Sequence, residues 1–439
     1  VAAACLLALA APGVEPARAQ ESAPGGLRTV DVGGEPVEGS TDDTRPTPLT
    51  AGLWRDVLGP GGVAGDTHYF AYERAIADSS VHVAVTTSSD DPDGESLALE
   101  VTTLDGDDCG SDSDSGSAPV PQSLLGVGVT AGPGEAGDRD DPCAEAAELR
   151  FSVTHSSPGE RAVAVRVVEE APVVGDPEEL PQPPESVALD LPSPASSPTD
   201  VEAGTAFAGA PLLEPGATVR DTVAQGEVVL YRVRLDWGQS LAVRVDVPVM
   251  DAAAEAALEF DRPAVALTLL DPFRQVVDEQ ADDADSAGSY DIDEPARLGD
   301  TTAPVAHLNR FAGLAATVPG DYWVSLAVQP GDPAEEPYDV PVEVTVDVAG
   351  EPGPAPTYPA VVVGPGGGGP GPEGYDAATP FLVGDGVLAA TVSGEPAAAG
   401  ADDTDSRTTR AVAGAVVGVL SLGCVAAGVA LLRRRRTTS

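Results

Sequence analysis

The sequence predicts an all-β chain: two tandem β-sandwiches displayed outside the cell, followed by one C-terminal transmembrane helix. Three observations carry this expectation. Apolar residues alternate with polar ones in short runs broken by Gly, Pro and Asp; one set of runs occurs twice; and residues 411–432 contain no charge and end on Arg433-Arg434-Arg435-Arg436.

The N-terminal apolar run 1–11 is followed by Pro12, Gly13 and the small-residue triplet Ala17-Arg18-Ala19. This pattern predicts a signal peptide over 1–19, cleaved before Gln20. Residues 20–48 are polar and rich in Gly, Pro and Thr, and read as a flexible tail. At the other end, the 411–432 segment is roughly 33 Å long as a helix, enough to cross a bilayer once. The four arginines after it make 433–439 a basic cytoplasmic tail and place everything before the span outside, so the expected location is the cell membrane, single-pass.

Formal charge is −48, with 71 acidic residues against 23 basic ones, all of them Arg. Such a field repels phosphate backbones, so no nucleic-acid partner is expected. Cys5 falls in the signal and Cys424 in the span, which leaves Cys109 and Cys143 as the exported pair; in an oxidising compartment they are expected to form a disulfide.

Between the ends, composition sets the boundaries. Residues 49–172 form the first β-rich block, and 173–206, with seven prolines from Pro177 to Pro198, read as an extended linker. The second block covers 207–348. A Gly/Pro-rich acidic stalk, 349–410, follows, with one apolar stretch from Phe381 to Val392 able to add a strand. In the second block Val229, Tyr231, Val233 and Leu235 alternate with Arg232, Arg234 and Asp236. After Trp237-Gly238-Gln239 the pattern resumes at Leu241, Val243, Val245 and Val247, which reads as a hairpin with one face buried. Similar alternation marks Val265 to Leu269, Tyr322 to Val328 and Tyr338 to Val348. The first block repeats the plan: Arg55-Asp56 matches Arg220-Asp221, Tyr69 matches Tyr231, and Val81 to Val85 stands where Leu241 to Val247 stands.

The run Tyr231 to Leu241, then Leu267-Thr268-Leu269-Leu270-Asp271-Pro272, then Gly320-Asp321-Tyr322-Trp323-Val324 resembles the bacterial pre-peptidase C-terminal domain. The resemblance spans 210–348 and, more loosely, 49–172. It implies a jelly-roll-like sandwich in each block and an accessory role in binding or stabilisation. Family members trail secreted proteases, and no protease precedes the two blocks in this chain.

Signals for chemistry are sparse. His68, His82, His155 and His307 are the only histidines; no pair has zinc-ligand spacing, and no Gly-x-Ser-x-Gly elbow occurs. His82 and His155 sit in strand-like runs and read as surface or edge-strand residues. An EF-hand count from Asp105 and Asp107 fails, because position 5 is Cys109 and position 12 is Gly116. A looser calcium cage from Asp105, Asp107 and Asp108, or from Asp282, Asp283 and Asp285, stands against the simpler reading of solvated acidic loops. No enzyme and no obligatory cofactor are expected. The function that follows is a membrane-anchored extracellular module of the cell envelope that meets a protein or a wall component. The alternative is a non-catalytic subunit of a secretion or transport apparatus, or of a separately encoded hydrolase.

The assigned faces make a first prediction. Tyr231→Asp or Val243→Asp should unfold the second block, whereas changes at Arg232 or Arg244 should cost little unless that face meets a partner. Circular dichroism and thermal melts of the four variants check it.

Overall fold

The computed structural model describes residues 30–393, apart from 63–64, 90–93, 117–122, 135–140, 177–178, 260, 278–284 and 332–335. The predicted signal, span and tail lie outside the described residues. Among the described residues, no helix is long and apolar enough to cross a membrane.

Alternating valines and turn-forming Gly and Asp build the first sandwich from β1 (Glu35–Pro36), β2 (Thr47–Leu49), β3 (Gly52–Leu58), β4 (Thr67–Glu73), β5 (Ser80–Ser88), β6 (Ser96–Thr103), β7 (Asp108–Ser115), β8 (Leu124–Ala131), helix α1 (Pro142–Glu145), β9 (Glu148–His155) and β10 (Arg161–Glu170). The second contains β11 (Thr199–Asp200), β12 (Thr218–Ala224), β13 (Val228–Leu235), β14 (Ser240–Val247), helix α2 (Ala252–Leu258), β15 (Ala264–Leu270), β16 (Ala287–Ser289), β17 (Ala296–Thr301), β18 (Gly320–Val328) and β19 (Asp339–Ala349). A last hairpin is β20 (Phe381–Gly384) and β21 (Val387–Ala389).

Four sheets result. Sheet A carries β1-β3-β10-β5-β8, with β20-β21 extending β10 beyond β3; sheet B is β2-β4-β9-β6-β7. Sheet C is β11-β12-β19-β14-β17, and sheet D is β13-β18-β15-β16. The strand orders of A and C correspond position by position, and β4-β9-β6-β7 of B corresponds to β13-β18-β15-β16 of D, so the repeat seen in the sequence is a repeat of topology.

A matching pair of carboxylates ties each sandwich together. Asp56 on β3 accepts from the Gly39 N–H at 3.2 Å and lies 2.5 Å from His68 Nδ1 on the opposite sheet. Asp221 on β12 accepts from the Ala203 N–H and from the Tyr231 hydroxyl, both at 2.8 Å. The sequence match of Tyr69 to Tyr231 is therefore one residue out of register: the inward partner of Tyr231 is His68, and Tyr69 points away from the core. A one-residue slip in a strand exchanges its two faces.

The hairpin expected from Val229 to Val247 is also corrected. β13 pairs with β18 in sheet D, whereas β14 pairs with β17 and β19 in sheet C. The turn at Trp237-Gly238-Gln239 carries the chain from one sheet to the other. Two strands facing each other across a core show the same alternation as two strands side by side, so the pattern does not distinguish them.

The outer faces of sheets A and D are pressed together, giving the layer order B-A-D-C. Leu124 and Ala164 of sheet A share one apolar cluster with Leu230, Ala264, Leu270, Trp323 and Ala327 of sheet D, together with Val30, Val32 and Phe207. This is why all nine residues of β5 and all nine of β18 are buried: each strand has a sandwich core on one side and the junction on the other. The junction face of sheet A is small, with Ala84, Thr86, Ala164, Gly126 and Gly128. The Val276 N–H donates to the Gly126 carbonyl at 3.1 Å, and Thr86 Oγ1 donates to the Arg274 carbonyl at 3.0 Å.

The segments read as tail, linker and stalk are packed on this block. Val30 and Val32 are buried at the junction, where the Asp31 N–H donates to the Thr205 carbonyl at 2.9 Å and Arg274 donates to the Val32 carbonyl. Leu189 and Leu191 of the Pro-rich segment lie against Gly299, covering part of the outer face of sheet C. Residues 350–393 run back over both sandwiches: Phe381 joins the second core, Leu382 joins the first, and Tyr358 and Val362 are buried with Ile76 and Ala171. These segments pair through extended backbone rather than through apolar repeats, which a composition reading does not register. Many contacts thus cross the boundaries of 207–348, so the second block is not a separable unit. Removed alone, it would expose Leu230 and Trp323 and lose Phe381 and Val392.

Close approach at the junction gives a sharp test. A Cβ on Gly126 would run into the Arg274 carbonyl oxygen and stand 3.0 Å from the Val276 backbone nitrogen, whereas a Cβ on Gly159 would have nothing within 4 Å. Gly126→Ala should cost about 1–3 kcal/mol. Gly159→Ala should stay within about 0.5 kcal/mol of wild type, as read by denaturant unfolding.

Candidate binding groove

The outer face of sheet C and the end of the 173–206 segment together line an open groove of about 1080 Å³, its lining including Glu202, Arg220, Thr222, Asp246, Pro341 and Glu343. Strand register sets four charges side by side on this face of the sheet, three of them in the groove: Arg220 opposes Glu343, Glu343 opposes Asp246, and Asp246 opposes Arg297. Arg220 Nε donates to Glu343 Oε1 at 3.1 Å, and Asp246 accepts from Arg244 at 2.6 Å and from Arg297 at 3.0 Å. Partial burial alone would raise the Asp246 carboxyl, but the hydrogen bonds from the two arginines bring it below its ordinary value. Pro248 and Pro295 also line the groove. The result is a polar surface whose charges are already oriented by neighbours, the kind of preformed surface that ligands meet with little reorganisation.

The four histidines do not form a reaction centre with a nucleophile. His68 belongs to the Asp56 tie, and His155 Nε2 donates to the Gly59 carbonyl at 2.6 Å, with burial lowering its pKa. His82 is not a surface or edge residue: it lies on central strand β5, 2% exposed, 3.0 Å from Glu170 Oε2. His307 approaches the same carboxylate from the second sandwich. Glu169 and Glu170, which end β10, went unnoticed in the sequence, although two carboxylates closing a strand apolar on both faces are a visible signal. Glu169 turns into the first sandwich and accepts from the Tyr72 hydroxyl at 2.6 Å, the Ile76 N–H at 2.8 Å and Ser79 Oγ at 2.6 Å. Glu170 turns towards the second.

The calcium candidates do not converge. Asp105 lies in the turn between β6 and β7; Asp107 accepts from Thr103 Oγ1 at 3.1 Å, and Asp108 Oδ1 accepts from the Gly110 N–H at 2.9 Å. Asp285 bridges to Gly299, while Asp282 and Asp283 lie outside the described residues. Among the described residues, no group of three or more metal-ligating side chains is brought together.

Cys109 and Cys143 form the disulfide, with Cα atoms 5.6 Å apart, joining β7 to α1. β7 starts at Asp108, where the acidic residues suggest a solvated loop. It has no apolar face; instead Asp112 and Asp114 accept from the Gly128 and Gly126 N–H groups of β8, at 2.9 and 3.0 Å, and so close the edge between sheets B and A.

No protein-family model matches the chain, and no curated protein matches it. Among solved structures, it is similar to the tandem CBM22 domains of Paenibacillus barcinonensis Xyn10C, at 9% identity and a TM-score of 0.18, over 68% of this chain and 92% of that one. The ANXUR2 extracellular domain of Arabidopsis thaliana gives 9% identity and a TM-score of 0.18, over 74% and 98%. The infectious bursal disease virus Gx strain structure gives 12% identity and 0.22, over 70% and 71%. At TM-scores of this size, none of them bears on what this chain binds.

Replacing both cysteines with Ser should cost about 2–4 kcal/mol. Hydrogen exchange should rise in β7 and its flanking turns first, with β5 and β10 protected as before.

Proposed function

We propose that the chain is a membrane-anchored, non-catalytic module of a bacterial cell envelope, which binds an envelope protein or a wall component through the outer face of sheet C. The observation that carries this reading is the groove itself. It lies on the far layer of a four-layer block, turned away from the junction, with its charges held in a row by strand register. The disulfide fits an oxidising compartment, and the signal and span read in the sequence supply export and anchorage. The resemblance to the pre-peptidase C-terminal domain, with its jelly-roll-like plan, fits an accessory binding role.

The exported part should be retained on an envelope fraction from cells lacking this protein. Glu202→Lys with Asp339→Lys, both at exposed groove positions, should weaken retention about tenfold or more, equal to some 1.4 kcal/mol. Retention unchanged by the two substitutions would move the binding surface elsewhere, and failure of the wild type to be retained would remove the function.

A further inference from the structure

We infer that the junction between the sandwiches is an acid-released latch: neutral His82 and His307 keep it shut around Glu170, and protonating them lets the two sandwiches part. The geometry is that of one carboxylate met by side chains from three separate regions of the chain. Glu170 is fully buried. Its Oε2 lies 3.0 Å from His82 Nε2 on β5 and 2.9 Å from Arg310 Nη2, and its Oε1 accepts from the Tyr358 hydroxyl at 2.9 Å, with His307 Nδ1 at 3.6 Å. His307 and Arg310 come from a 3₁₀ turn of the second sandwich, His307–Phe311, and Tyr358 comes from the returning segment.

The charges balance only while both imidazoles are neutral. Glu170 and Arg310 cancel, so each proton added to His82 or His307 is an uncompensated charge in a dry site. Among the described residues, no other group facing the cluster takes it up. His82 Nδ1 meets Thr130 Oγ1 at 2.9 Å, and its ring stacks on Phe273 at 4.5 Å. Arg310 Nη1 reaches Ser80 Oγ at 3.5 Å, and Glu169 points to the other side of its sheet. The Asp271 carboxylate is used by the Phe273 and Gln275 N–H groups of its own turn.

The sign follows from what opening exposes. Burial lowers both histidines below their ordinary value of 6.5. The open form therefore binds more protons below that pH, and closure weakens as pH falls through it. Burial alone would raise Glu170, but Arg310, His307 and His82 hold it well below its ordinary value, so its own protonation adds to the loss only at lower pH. Asp271 works the other way: burial pushes its carboxyl up to about 7, so an opening that wets it releases a proton. Two protons gained and up to one released leave a net uptake of about one, or up to tenfold in the open-to-closed ratio per pH unit.

Trp323, 5% exposed at the junction, reports the event in the full chain. From about pH 7.5 to about pH 5, its emission, isolated by comparison with Trp323→Phe, should move to the red while the far-ultraviolet strand signal holds. The double variant His82→Gln/His307→Gln should not respond, and Asp271→Asn should steepen the response. No shift in the wild type, the same shift in the double variant, or loss of strand signal together with the shift overturns the latch. If the double variant does not fold, the wild-type and Asp271→Asn slopes decide: opening without proton uptake below about pH 6.5 also overturns it.

Discussion

The buried Glu170 carboxylate constrains everything around it. Its partners lie on β5, on the second sandwich's 3₁₀ turn and on the returning segment, so it is satisfied only when all three are in place. A buried charge stripped of one partner is strongly unfavourable, whereas the same charge fully partnered costs little. The apolar junction beside it is non-directional and would tolerate some sliding of sheet on sheet. Glu170 fixes the register of the contact, while Asp321, at 2.9 and 2.7 Å from Arg232 and Arg234, ties two neighbouring strands of sheet D. Arg232 is thus paired with Asp321 of its own sheet, and differs from Arg244, which lies on the open face of sheet C.

The two halves repeat a single plan but put their outer faces to different uses. In both, an aspartate on the second strand of its sheet accepts from a preceding backbone N–H and meets an aromatic ring from the opposite sheet: Asp56 with His68, Asp221 with Tyr231. In Tyr231, desolvation and the neighbouring carboxylate push the phenol above its ordinary pKa, so it remains a donor. The outer faces of sheets A and D have become interior, whereas those of B and C remain outside. Apolar and small residues follow that division.

Strands such as β13, β14, β18 and β19 were legible in the sequence because each has one face in a sandwich core, and period-two alternation records it. The repeat and the cysteine pair were legible for similarly local reasons, and the Phe381 to Val392 stretch did yield β20 and β21. What alternation does not encode is the sheet to which a strand belongs, hence the misread hairpin at Trp237. Nor does it reveal a junction built from Ala84, Thr86 and Gly126, residues that on a half-exposed strand look like an ordinary solvent face. β7 escaped notice because side-chain carboxylates rather than apolar packing hold it. The cluster at Glu170 joins His82, His307 and Tyr358 across long sequence separations, and no local pattern connects them.

The returning segment also determines how the molecule would carry tension. Chain leaving β19 does not continue outward from the second sandwich. It crosses to the first, pairs through β20 with the last residues of β10, and reaches Val392 and Ser393, which hydrogen-bond to Arg166 and to the Asp321 N–H at the junction. A pull on the chain beyond Ser393 is therefore first resisted at sheet A and at the seam between the sandwiches, not at the end of β19. Force entering from the outer face of sheet C must cross that seam to reach the same point. The seam is thus mechanically in series with any load between the groove and the chain beyond Ser393, and the compliance of the whole is set by a contact of small residues and one buried carboxylate.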